Sequence, residues 1–168
     1  MLSEKMQAAL NAQINMEFFA SYQYLAMAAY FESENLMGFA NWMHMQSQEE
    51  NMHAMKFYNY INDRRGRVTL QALDMPKTAW SSPLEAFEDA LKHEQKVTAK
   101  INALVDLAIQ ESDHATNSFL KWFVDEQVEE EANVDAVIQD LKRIGSASQG
   151  LFMLDRELAQ RGPEEEAE

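Results

Sequence analysis

The chain has 168 residues, enough for one domain with its own core, and 46% of them are hydrophobic, which is a globular composition and not a disordered one. Its 28 acidic residues outnumber 14 basic ones, for a net charge of -14, so there is no basic face to bind nucleic acid; the lack of cysteine excludes disulfides, thiolate zinc and iron–sulfur clusters. The N-terminus shows no basic stretch followed by an apolar core, and no apolar run approaches the roughly 18 to 20 residues of a membrane span, so a cytoplasmic protein is expected.

Five helices are predicted. The first runs from Glu4 to Glu32 with Ser3 as N-cap, and Leu10, Ile14, Phe18, Leu25 and Ala28 recur at helical spacing. A short turn at Glu34-Asn35 leads to a second helix from Met37 to Arg64, ending near Gly66. Residues 65–82 contain Gly66, Pro76 and Ser81-Ser82-Pro83 and read as a connection long enough to cross a bundle. The third helix starts with Ser82 as N-cap, Pro83 at the first position and Glu85 completing a capping box; Phe87, Leu91, Val97, Ile101 and Val105 line it as far as Gln110. Asp113 caps a fourth helix that reaches Ile144 and stops at Gly145, and a short fifth covers Ser148 to Arg161. Gly162–Glu168 reads as an acidic disordered tail. Two helices, a long crossover, two more helices and a short appended one predict an all-α four-helix bundle, one domain over residues 1–161.

Each long helix breaks its own apolar pattern with an acid. On the second, Glu50 and His53 fall in or beside the arc of Trp42, Phe57 and Tyr60. Glu17 lies in the arc of Leu10, Ile14 and Ala28, and Glu94 at the centre of the third helix's apolar face. On the fourth, Gln127 and Glu130 sit inside the face of Phe119, Phe123, Val134, Val137 and Leu141, with Glu126 at its edge. A single inward glutamate is usually a boundary residue or half of an ion pair. Four of them at mid-helix, with no matching inward Lys or Arg on these helices, would repel one another and be driven neutral. A pair of metal ions resolves that conflict. Oxygen-rich ligation with one imidazole suits iron or manganese, and Glu50 is the natural bridge. Glu49, Glu126, Glu129 and Glu130 form a second layer able to hold a third ion.

The motifs Gln13-x-x-x-Glu17, Ser21-Tyr22-x-Tyr24-Leu25, Gln48-Glu49-Glu50-x-x-His53-Ala54, His93-Glu94 and Glu126-Gln127-Val128-Glu129-Glu130-Glu131 resemble those of non-haem bacterial and archaeal ferritins along essentially the whole chain. The resemblance implies a ferritin-like bundle with a ferroxidase centre. Its first iron would be held by Glu17, Glu50 and His53, and its second by Glu50, Glu94 and Glu130 with Gln127 close by. The third site would use Glu49, Glu126, Glu129 and Glu130. Tyr24 matches the family's tyrosine beside the centre and would supply an electron; Trp122 is a weaker aromatic candidate for that task. The implied reaction is oxidation of ferrous iron by dioxygen or peroxide. Ferric mineral would be stored in a hollow homo-oligomeric shell, usually of 24 subunits. Haem is not expected, because Asn51 stands where the related bacterioferritins carry a methionine, and Gln127-Val128-Glu129-Glu130 lacks their second Glu-x-x-His. The acidic positions that line threefold pores in animal ferritins match Asn117 and Leu120 here, with Glu111, Asp113 and His114 nearby as substitutes. Two other readings are a di-iron oxidase that stores nothing, as in rubrerythrin-like proteins, and a passive metal-buffering bundle. The missing cysteines weigh against the first.

Overall fold

The computed structural model describes residues 1–163, and the part of the expected acidic tail from 164 to 168 lies outside them. Five α-helices follow in order: α1 Glu4–Ser33, α2 Met37–Asp63, α3 Pro83–Gln110, α4 His114–Ile144 and α5 Ser148–Leu158. The first four form two antiparallel pairs, α1 with α2 and α3 with α4, packed into one bundle.

Local chemistry sets most helix ends. The hydroxyl of Ser3 accepts from the Met6 N–H, that of Ser82 from the Glu85 N–H, and the Asp113 carboxylate from the Thr116 N–H. The capping box differs in one respect from expectation. Glu85 reaches past Ser82 and accepts from both the N–H and the hydroxyl of Ser81, each at 2.6 Å. The turn after α2 closes at Gly66, as expected. Arg65, not Gly66, takes the positive φ of 57°, and the Gly66 N–H closes the helix onto the Ile61 carbonyl at 2.8 Å. Gly66 is needed for space instead, because a Cβ there would stand 2.9 Å from both Gln7 Oε1 and Ile61 Cγ2.

The crossover is bonded along α1. Asn11 donates to the Arg67 carbonyl and accepts from the Thr69 N–H, while Gln23 exchanges hydrogen bonds with the backbone of Lys77. Twelve helical residues separate these anchors, a rise of about 18 Å. The connection therefore climbs beside α1 and delivers the chain to the far end of the bundle, where α3 begins antiparallel to α1. Lys77 and the Trp80 indole then tie it to Asp89 on α3.

α5 ends at Leu158, three residues before the expected Arg161. It supplies the cap that α2 lacks. Asp155 Oδ1 accepts from the Gly38 and Phe39 N–H groups at 2.8 and 3.1 Å. The two backbones lie so close that a Cβ at position 38 would stand 1.5 Å from the Asp155 carbonyl oxygen, so only glycine fits.

The apolar core is divided. One cluster gathers Phe31, Phe39, Trp42, Phe87 and Val134, and the other Leu10, Phe57, Ile101, Leu120 and Phe123. Each fully buried side chain of this size contributes roughly 1.5–3 kcal/mol relative to exposure. Between the clusters lies a belt of buried polar residues: Glu17, Gln46, Glu50, His53, Glu94, Gln127 and Glu130. Among the described residues no helix is long and apolar enough to cross a membrane.

Candidate metal centre

The belt draws on all four long helices. Glu17 comes from α1, Gln46, Glu50 and His53 from α2, Glu94 from α3, and Gln127 and Glu130 from α4. Gln46, Glu50 and His53 are spaced one helical turn apart, so α2 presents all three to the same side.

Three overlapping groups have ligand atoms within 4.8 Å of one another: Glu17 with Glu50 and His53; Glu50 with Glu94 and Glu130; and His53 with Glu126 and Glu130. The first two are the pairings expected for two ions, and Glu50 belongs to both. The two ring nitrogens of His53 face different carboxylates. Nδ1 lies 3.5 Å from Glu50 Oε2, while Nε2 lies 3.6 Å from Glu126 Oε1.

Neighbouring groups orient these carboxylates. Gln13 donates to Glu17 Oε1 at 2.7 Å, and the Tyr24 hydroxyl donates to Glu94 Oε1 at 2.5 Å. Gln127 donates to Glu94 Oε2 at 3.3 Å and to the Thr98 hydroxyl at 3.2 Å. Gln46, which the helical pattern of acids does not single out, donates to Glu130 Oε2 at 2.6 Å and to Glu50 Oε1 at 3.3 Å. Its signal is present in the sequence, four residues before Glu50 on the same face. Among the described residues Glu17 Oε2 and Glu50 Oε2 accept no hydrogen bond, although both are buried.

The electrostatics follow from that geometry. Burial pushes the Glu17 carboxyl well above the ordinary range, and the charge of Glu50 adds to it. Glu50 and Glu130 are raised the same way, by burial and then by neighbouring acids. Burial also raises Glu94, against the hydrogen bonds from Tyr24 and Gln127 that favour its ionised form. Burial alone would lower His53, but Glu126, Glu17 and Glu130 outweigh it and raise the imidazole. Tyr24 is held protonated, first by burial and then by Glu94. Divalent cations are the natural remedy for so many buried acids, and an oxygen-rich set with one imidazole suits iron or manganese.

Other expected residues stand elsewhere. Glu129 is exposed and joins none of the three groups. Glu49 is 3% exposed, and its Oε2 is bonded by Arg161 at 2.6 Å. That arginine is an inward cation from beyond the four long helices, which their helical wheels do not reveal. Trp122 is partly exposed and places its ring edge-on to His53 at 5.4 Å, beneath Lys56. His93 is only half-buried, against Phe19, and burial holds it neutral with a pKa lowered to about 4. Leu120 is fully buried in the second apolar cluster, so it points into the subunit and does not line an opening. Two of the acids near it are engaged, Glu111 by the Ser3 hydroxyl and Asp113 by Arg64.

A crossover-connected four-helix bundle with glutamates from every helix meeting around one histidine defines the ferritin-like class of carboxylate bundles. Comparison with known proteins agrees. The ferritin family model, described as a ferritin-like domain, matches residues 7–144. The bacterial non-heme ferritin of Staphylococcus aureus is 48% identical, over 99% of this chain and 100% of its own length, and that of Staphylococcus saprophyticus is 47% identical over 98% and 99%. A solved structure of an engineered closed form of the Archaeoglobus fulgidus ferritin superposes with a TM-score of 0.96 at 49% identity, covering 98% of this chain and 100% of that one. The open-pore ferritin of the same archaeon gives 0.95 at 50% identity, covering 96% and 98%. The chain belongs to the ferritin family.

Proposed function

We propose that this protein stores iron in the cytoplasm and oxidises it on the way in. Ferrous iron is the substrate and dioxygen or peroxide the oxidant. Glu17, Glu50 and His53 hold one ferrous ion, and Glu50, Glu94 and Glu130 hold the other, with Gln127 and Gln46 orienting carboxylates from behind. The observation that carries this reading is the sharing of buried Glu50 between two three-residue groups drawn from four helices.

Two ferrous ions together supply the two electrons that, with two protons, convert dioxygen to hydrogen peroxide. Carboxylates favour the harder ferric product. Reduction of that peroxide to water takes two more electrons and two protons. Tyr24 donates to Glu94, so an electron given from its ring to peroxide is matched by passage of its proton to Glu94 Oε1. Trp122 covers the outer side of His53 and is an aromatic candidate for a second electron. A third ion, held by Glu126 and Glu130 with Glu49 and Glu129 as the family pattern implies, would lie between the centre and the mineral. Homo-oligomeric assembly into a hollow shell, of 24 subunits by resemblance, supplies the storage volume.

The test is anaerobic loading of ferrous iron followed by admission of air, with oxygen uptake and particle mass followed together. A burst of oxygen consumption on a shell-sized particle is expected. A passive metal buffer would take up iron with no burst, and a non-storing oxidase would turn over as a small particle.

A further inference from the structure

We propose that Arg161 is a built-in counter-ion that holds Glu49 out of the third ion site, so that this site is completed only when the segment after α5 lifts from α2. The inference rests on the ferroxidase reading above and adds a positioning residue to it.

Glu49 and Glu50 are adjacent on α2 and both buried, yet neighbouring helical residues project about 100° apart. Glu50 enters the belt. Glu49 points toward the end of α5, where the Arg161 guanidinium meets it. The arginine is fixed at several points. Its Nη2 donates to Glu49 Oε2 at 2.6 Å and its Nη1 to the Trp42 carbonyl at 3.4 Å. Its guanidinium lies over the Trp42 ring at 4.4 Å. The Asn41 amide donates to the Arg161 carbonyl at 3.0 Å and to the Leu158 carbonyl at 3.2 Å. The two charged side chains are only 15% and 4% exposed, so solvent screens their attraction little.

A guanidinium stays charged at any working pH, so only displacement takes it off the carboxylate. Consistent with this, none of the metal-capable groups among the described residues includes Glu49, and Glu126 approaches His53 instead. A ferrous ion must break a short charge-assisted bond before Glu49 can become its ligand. The simpler alternative is that Arg161 only staples α5 to α2. That role predicts a loosened α5 in its absence and no change in ion binding.

The test is anaerobic ferrous titration by calorimetry, with far-UV circular dichroism and particle mass recorded for each variant. Wild type should bind about two ions tightly per subunit, and Arg161→Gln should tighten a third on the order of tenfold, because a cation then no longer competes with the guanidinium for the Glu49 carboxylate. Arg161→Lys, which keeps the charge but not the fork or the stack on Trp42, should gain less than Arg161→Gln, and Arg161→Gln with Glu49→Gln should lose the gain. If Arg161→Gln does not assemble, Asn41→Ala frees the same segment from its backbone anchor and should tighten the third ion in the same direction. Wild type that binds two ions and consumes oxygen, while neither loosening variant gains a third, overturns this inference alone. Wild type that binds no ferrous ion overturns the ferroxidase reading and this inference together.

Discussion

The two apolar clusters and the acid belt between them are buried to the same degree but act on stability in opposite directions. At one end Phe31 stacks on Phe39 at 5.1 Å, and at the other Phe57 stacks on Phe123 at 4.1 Å. These contacts favour folding with or without metal. The belt puts Glu17, Glu50, Glu94 and Glu130 in the same bundle, where burial raises every one of their pKa values. Burying acids that repel one another opposes folding unless a cation or a proton relieves it. The ends hold the helices in register, and the belt uses that register to bring metal-capable side chains within 4.8 Å of one another.

Substitutions in the two regions should therefore separate cleanly. The largest effect is expected at an end. Phe87→Ala, in contact with Phe31, Phe39 and Trp42, should cost about 3–5 kcal/mol of stability, read from denaturant unfolding of the metal-free protein. Oxidation per folded subunit should survive at low temperature. Glu94→Gln reverses that pattern. It keeps an acceptor for the Tyr24 hydroxyl but removes the charge of a proposed ligand, and the initial rate of oxygen uptake should fall by roughly 100-fold or more while the melting temperature holds or rises. Gln46→Leu strips a donor from Glu50 and Glu130 without touching a ligand; ferrous affinity should drop about tenfold in anaerobic titration.

The smallest effect is a pH trend. Unfolded glutamates titrate near 4.3, and the folded Glu17 carboxyl titrates higher, so the folded state binds more protons in the interval between them. Stability from this group is complete below the unfolded value and is lost as pH rises through the folded one. Melting curves of the metal-free protein should show Glu17→Gln gaining on wild type as pH rises from about 4 to 8. A gap that is constant with pH would place Glu17 in an ordinary solvated environment.

Much of this comparison can be read from the sequence, for a physical reason. Helical periodicity fixes which face is buried, so an acid inside an apolar arc stands out from residue spacing alone. Glu17, Glu50, His53, Glu94 and Glu130 are legible in that way, and the helix bounds follow from Ser3, Ser82, Asp113 and Gly145. What stays hidden depends on contacts far apart in the chain. The Asp155 cap on α2 and the Arg161 bond to Glu49 join residues more than 100 positions apart, and no periodicity reports them. Leu120 illustrates a limit of motif matching. A position can align with a pore residue in a relative and still turn into the core.

The most direct test of the belt as an iron site maintained against stability is the melting temperature of wild type and Glu50→Gln, each without metal and with anaerobic ferrous iron. Without metal the variant should melt at or above wild type, because one buried charge is gone. With ferrous iron wild type should rise and overtake it, while the variant, lacking the shared ligand, should barely move. A variant that melts lower without metal, and that ferrous iron stabilises as much as wild type, would contradict the account.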